Sequence, residues 1–447
     1  MTDSASHNLP ILRDVPDDAT AVGSYFVANY PPFSFWTPQH NAEVLKRLDE
    51  PPGAGVPLGL YVHIPFCRKR CDFCYFKVYT DKNSREIHRY LDAVIAEAQA
   101  YAKRPCVAGR TPRFIYFGGG TPSYLSAPQL EYLFRGIQRA ISWEGAEEIA
   151  FECEPGTLQE SKIKVLAELG VTRLSLGVEN FDPTILEINN RAHRAAEIHR
   201  AYDYAREVGF EQINIDLIAG MVGETQANWE SCIEKTLALN PESVTIYQME
   251  IPYNTTNYRR LRDGGPEAVP MADWRTKRRW LEEAFARLEE AGYLIGSAYT
   301  AVRDSSVKFL YRDALWTGAD MLGIGVSSFS HVGGVHFQNE NHFDPYVERV
   351  EAGELPIHRS LVTTAEERLI REFILQLKLG AVRDRYFRDK FGVSVIERFG
   401  PQLSRHAEEG YLRIVNGGIE TSRRGLLQID RLLHDFFLDH HRDVRYA

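Results

Sequence analysis

The chain has 447 residues, 44% of them hydrophobic and 25% charged, with a formal net charge of −9 at pH 7. That suits a globular enzyme with one large domain and a smaller one, and the acidity argues against a general nucleic-acid binder, whose footprint is basic. No apolar run approaches the roughly 18 residues that span a bilayer. The opening "MTDSASHNLPILRD" shows no basic stretch followed by an apolar one, so the sequence predicts a cytoplasmic protein with no membrane and no nucleic-acid partner.

Residues 1–55 include the aromatic, Pro-rich "NYPPFSFW" (29–36) and read as an N-terminal extension. From residue 56 short apolar runs alternate with helical patterns. The predicted strands are "GLYVHI" (59–64), "RFIYFGG" (113–119), "EIAFECE" (148–154), "RLSLGVE" (173–179), "QINIDLIAG" (212–220) and "SVTIYQME" (243–250). Their nearly continuous apolar character is that of strands buried on both faces of a parallel sheet. A helix is predicted after Asn83, an N-cap with Glu86 three residues on. Others are predicted over 128–140, 158–169, 184–208 and 226–239.

Six strand–helix alternations imply an α/β fold, a partial (β/α)6 TIM-like barrel, because eight units close a TIM barrel. The barrel is assigned to 56–355, with the 1–55 extension expected over its mouth. Residues 356–447 read differently: a helical segment (363–391), then strand, Asn-Gly-Gly turn, strand and helix in "EEGYLRIVNGGIETSRRGLLQID". This predicts a winged-helix-like module, with a covering or docking role because its charges nearly balance.

Three of the six cysteines, Cys67, Cys71 and Cys74, stand in a C-x3-C-x2-C spacing directly after the first strand. Structural zinc takes four ligands, with His63 as a candidate fourth. A disulfide would leave one thiol odd. An iron–sulfur cluster is held by thiolates, and three cysteines leave one iron of a four-iron cluster open for a ligand. Cys106, Cys153 and Cys232 lie among apolar neighbours and read as small buried hydrophobes.

The spacing and its place after the first barrel strand resemble the radical S-adenosylmethionine (SAM) enzymes. The resemblance implies a [4Fe–4S] cluster on Cys67, Cys71 and Cys74 whose open iron chelates SAM. "FGGGTPS" (117–123) is similar to the motif that pairs with the amino group of SAM; by itself it is also an ordinary tight turn. Across nearly the whole chain, "LYVHIPFC", "FGGGTP", "FECEP", "LGVENF", "NIDLIAG" and "LGIGVSS" resemble the HemN-like proteins, the oxygen-independent coproporphyrinogen III oxidases and their relatives. That likeness implies that Tyr61 contacts SAM near the cluster and that Gly119, Gly120 and Thr121 cradle its amino-acid end. It implies that Glu152, Glu179, Arg191 and Asp216 line SAM pockets, and that Phe337 and Gln338 lie near a second SAM. Tyr61, Glu179 and Gln338 are the candidate catalytic residues. The bland alternatives are an Asp216 that caps a helix and a Glu179 that pairs with Arg191.

The sequence departs from the coproporphyrinogen oxidases at the mouth. Phe76 stands where a further cysteine is usual, "LGVE" replaces "LGVQ", and "IYQMEIPYNTTNY" (246–258) follows strand six. These departures lead to the expectation of a class C radical SAM methyltransferase or cyclopropanating enzyme of natural-product biosynthesis. Such an enzyme binds two SAM molecules and adds a methylene radical to an sp2 carbon of an aromatic small-molecule substrate. Phe76, Tyr79, Tyr247, Tyr253 and Tyr258 are candidates for its pocket. The partners expected are an external one-electron donor of flavodoxin or ferredoxin type and a methyltransferase-like cyclase. The alternatives are an oxygen-independent coproporphyrinogen III dehydrogenase and a haem chaperone.

Overall fold

The computed structural model describes residues 26–252, 255–257, 259 and 271–442. Six parallel strands lie side by side in chain order: β1 (Leu58–Ile64), β2 (Phe114–Gly119), β3 (Glu148–Cys153), β4 (Arg173–Glu179), β5 (Gln212–Ala219) and β6 (Ser243–Gln248). The helices between them span Ser84–Ala102, Ala127–Ala140, Glu160–Glu168, Ala195–Val208 and Gln226–Leu239. This is the partial TIM-like α/β architecture expected from the sequence. Local chemistry starts the helices: the Asn83 side chain accepts the N–H groups of Arg85 and Glu86, while Glu86 accepts that of Asn83. Ser126 with Gln129, and Thr225 with Asn228, repeat the device.

The strands are not apolar on both faces, and that expectation is corrected. Leu60, Val62 and Ile64, Ile115 and Phe117, Leu174, Leu176 and Val178, and Ile213, Ile215 and Leu217 belong to the main core beneath the helices. The alternating positions turn the other way. They read Tyr61 and His63, Tyr116, Glu148 and Glu152, Arg173 and Ser175, Asn214 and Asp216. The inner face therefore bounds a polar chamber instead of a second core.

The sheet stays open and reaches twelve strands. Beyond β6 lie β7 (Leu294–Ile295) and β8 (Thr300–Val302), with β8 antiparallel to β6. On the other side β9 (Asp320–Ile324) pairs with β1 in parallel, followed by antiparallel β10 (Phe329–Val332), β11 (Val335–Asn339) and β12 (Ile357–Val362). Among the described residues no helix is long and apolar enough to cross a membrane.

Two predicted helices are interrupted. The segment 184–208 is two helices, Pro183–Ile188 and Ala195–Val208. Between them Asn190 takes φ 58°, and the connecting loop carries Arg191 and His193 toward the chamber. The segment 363–391 is cut by β13 (Ala381–Arg383) after Gly380, whose φ is +87°. The β13 strand joins β15 (Gly418–Thr421), which forms a hairpin with β14 (Leu412–Val415) across Asn416 and Gly417. A second core holds this winged-helix-like part together, with Phe373, Phe387, Phe399 and Leu433 at its centre. Val27 and Tyr30 of the N-terminal arm are buried in the same core. Further along, Phe33 and Trp36 pack on Phe329, and Thr37 bridges to Ser360 of β12.

Candidate active site

The loop after β1 carries Cys67, Cys71 and Cys74, and several bonds fix its course. The Cys67 N–H donates to the Tyr79 carbonyl at 3.0 Å, and the Tyr79 N–H donates to Pro65 O at 2.8 Å. Arg68 makes a two-pronged ion pair with Glu154, just past β3, at 2.8 and 3.1 Å. The Asn190 amide donates to Arg70 O at 2.8 Å. All three thiols are free. The hydroxyl of Thr121 donates to Cys67 Sγ at 3.2 Å, and Arg191 Nη1 donates to Cys71 Sγ at 3.3 Å. Burial pushes the Cys67 thiol up to about 11, with the Thr121 hydrogen bond pulling back. Burial pushes Cys74 up to about 12, with the Phe76 backbone N–H among the groups that pull back. Thiols so raised keep their protons at neutral pH until a metal displaces them.

Among the described residues, the one group whose ligand atoms all lie within 4.8 Å of one another is Glu367, His440 and His441, far along the chain. Cys67, Cys71 and Cys74 do not form such a group. His63, the candidate fourth zinc ligand, is engaged elsewhere: its Nδ1 lies 3.0 Å from the Tyr61 hydroxyl. Burial lowers His63 to about 4, and its buried Nε2 has no hydrogen-bond partner among the described residues.

The glycines after β2 run against this loop. The Gly120 N–H donates to Ile64 O and the Thr121 N–H to Phe66 O, each at 2.8 Å. A Cβ on Gly120 would lie 2.9 Å from the Pro65 carbonyl carbon. Gly119 has φ +115°, and a Cβ there would meet the His63 ring at 2.6 Å. The close approach of two strand ends therefore requires these glycines, whatever ligand they also admit.

Three carboxylates face one another from β3, β4 and β5. Glu152 accepts the Tyr116 hydroxyl at 2.6 Å and the Gly119 N–H at 3.0 Å. Glu179 lies 3.5 Å from Arg191 Nη2, which also donates to Gly177 O at 2.5 Å. Asp216 accepts Ser175 and Asn214, each at 2.8 Å, and caps no helix. Burial raises Glu152 and Glu179 each to about 7, and Asp216 adds to both. Burial raises Asp216 as well, against its hydrogen bonds. Burial opposes the charge on Arg191, yet Cys71 and Glu179 outweigh it and raise the guanidinium.

Residues 61–235, which include the cysteine loop and all three carboxylates, match the radical SAM superfamily. Those residues carry a radical SAM domain, and over most of its length the chain is similar to HemN-like proteins. It is 29% identical to the heme chaperone HemW of Bacillus subtilis (strain 168), over 82% of this chain and 96% of that protein. It is 27% identical to the oxygen-independent coproporphyrinogen III oxidase of Escherichia coli (strain K12), over 83% and 84% respectively. Its fold matches the solved coproporphyrinogen III oxidase (HemN) from Escherichia coli with a TM-score of 0.80 at 24% identity, covering 92% of this chain and 96% of that one. It is a radical SAM enzyme and takes a [4Fe–4S] cluster and SAM.

These relatives overturn the expectation of one-carbon transfer to an aromatic natural product. The likeness to proteins named for tetrapyrrole chemistry runs through the whole barrel and beyond, whereas the departures that suggested methylation are a few side chains at the mouth.

In this HemN-like enzyme Tyr61 stacks on Tyr116 at 6.0 Å, and Tyr116 on Tyr311 at 4.3 Å. Phe337 and Gln338 are neighbours on β11 and point to opposite faces, so their side chains do not meet one ligand. Phe337 is fully buried in the core beside Tyr101, while Gln338 accepts Arg359 at 2.7 Å and donates to Ser327 O at 3.2 Å. Of the candidate pocket aromatics, Phe76 is 44% and Tyr247 40% exposed. Tyr79 instead packs on Phe343, its hydroxyl oxygen accepting the Phe343 N–H at 2.8 Å. Tyr253 and Tyr258 lie outside the described residues. Sequence reasoning missed Tyr116, Glu148, Arg173 and the Arg68–Glu154 pair; polar residues at every second strand position were the signal for the first three.

Proposed function

We propose that this enzyme carries out the oxygen-independent oxidative decarboxylation of coproporphyrinogen III or a close relative. The observation that supports this most is the likeness to coproporphyrinogen III oxidases over 83% of the chain. The acid-lined chamber behind the three-thiol loop fits the cofactors. Cys67, Cys71 and Cys74 would hold the cluster, with Gly119, Gly120, Glu152, Glu179, Arg191 and Asp216 around SAM. Bound there, cluster and SAM would supply one-electron radical chemistry.

The chain's own residues then have defined work. Glu152, Glu179 and Asp216 offer negative charge to the sulfonium and ammonium of SAM. A cation beside them favours their ionised forms and reverses the effect of burial. Arg191 holds Cys71 and the β4 end together. Glu148 accepts the N–H groups of Leu310 and Tyr311, both at 2.9 Å, so that the Tyr311 ring closes the chamber floor under Tyr116. A closed floor keeps water from a reactive intermediate. Gln338 would face a second SAM, and Tyr61 the first. An external one-electron donor of flavodoxin or ferredoxin type would reduce the cluster.

A second reading, haem delivery, is favoured by the likeness to the chaperone HemW. One anaerobic experiment separates the two. Reconstituted enzyme, reductant, SAM and coproporphyrinogen III are incubated, and 5′-deoxyadenosine, carbon dioxide and vinyl porphyrin are quantified. Repeated turnover supports the oxidase. Absence of turnover, together with stoichiometric binding when haem is titrated into a parallel anaerobic sample, supports the chaperone.

A further inference from the structure

The thiols of the cysteine loop are each met by a hydrogen-bond donor. Arg191 serves Cys71, and the backbone N–H of Phe76 serves Cys74. The donor to Cys67 is of a different kind. It is the hydroxyl of Thr121, 3.2 Å from Sγ, with residue 121 lying 54 positions along the chain on the turn after β2. Backbone bonds hold that hydroxyl in place. The Thr121 N–H donates to Phe66 O at 2.8 Å, and Thr121 O accepts the Tyr124 N–H at 2.9 Å. Both Thr121 and Cys67 are buried, 8% exposed each, so water has little access to the bond.

We infer that Thr121 is a positioning residue that sets the reduction potential of the cluster through Cys67, a role separate from cradling the amino-acid end of SAM. This rests on Cys67 being a cluster ligand. A donor aimed at a ligating sulfur withdraws electron density from the iron, so the reduced state gains and the potential rises. The geometry also limits what Thr121 offers elsewhere: its one hydroxyl proton is directed at sulfur, so toward SAM it can only accept.

The test compares Thr121→Val, which keeps shape and loses the donor, with Thr121→Ser, which keeps the donor. Iron and sulfide are counted after anaerobic reconstitution, and the potential is measured by electron-paramagnetic-resonance titration without SAM or substrate. Wild type that takes up no cluster would overturn the cysteine assignment, and this inference with it. With a cluster present, Thr121→Val is expected at unchanged iron content and about tenfold harder to reduce, a downward shift of about 59 mV for one electron. Thr121→Ser is expected at the wild-type potential. If Thr121→Val takes up no cluster while Thr121→Ser does so normally, the hydroxyl serves cluster assembly and the inference about the potential is overturned. Equal potentials in all three proteins, equal shifts in both variants, or failure of both variants to take up iron would refute the inference.

Discussion

Glu179 is a buried acid whose removal should stabilise the empty chain. Burial raises its carboxyl from 4.5 to about 7, with Arg191 pulling it down and Asp216 pushing it up. The folded chain thus holds this proton more tightly than the unfolded one. Its contribution to stability is full below about pH 4.5 and is lost as the pH climbs through 7. At 1.36 kcal/mol per pH unit the loss totals about 3 kcal/mol above neutrality. Glu179→Gln keeps the shape and removes the titration; Arg191 retains Cys71 and Gly177 O as acceptors. Chemical denaturation of the cluster-free chain should find variant and wild type alike near pH 4, with the variant more stable by up to about 3 kcal/mol near pH 8. The reverse holds for ligand binding: wild-type affinity for SAM should rise with pH through neutrality, and that rise should flatten in Glu179→Gln. Denaturation curves that keep the same separation at both pH values would refute the reasoning, since the acid would then be solvated in the folded chain.

Cys67→Ala, Cys71→Ala and Cys74→Ala should each abolish the visible absorption of the reconstituted cluster and leave the far-ultraviolet circular dichroism unchanged. Gly120→Ala should cost about 1–3 kcal/mol and reduce iron uptake, because the new methyl meets the Pro65 backbone; iron content against thermal melting checks it. Arg68→Met removes the pair with Glu154, but its side chain is 35% exposed, so the loss in stability should be only about 1 kcal/mol; faster iron release to a chelator is the sensitive readout. Phe373→Ala, fully buried and stacked on Phe399 at 4.7 Å, should cost about 3–5 kcal/mol in denaturation.

Much of the barrel was legible because its determinants are local. Apolar runs of strand length and capping pairs such as Asn83 with Glu86 act within a few residues, so β1 to β6 and the helices between them follow from short windows. The strands from β7 to β12 did not, since several are two to five residues long and form only by adding to an edge the barrel already provides. The break at Asn190 was likewise hidden: a continuous helical period runs across 184–208, and the chain leaves it to bring Arg191 to Cys71. The inner-face polarity was present in the sequence at every second strand position but was masked by the aliphatic residues between.

The sequence by itself determined the α/β alternation and the grouping of three thiols on the loop after the first strand, because thiol spacing and strand periodicity need no long-range contact to be read. Only the tertiary structure decided which groups meet. Thr121 reaches Cys67 across 54 positions, and Arg191 reaches Cys71 across 120. Glu152, Glu179 and Asp216 become one buried acidic set only when β3, β4 and β5 lie in register. Their raised pKa values come from the loss of water around them, and that loss is a property of the folded chamber.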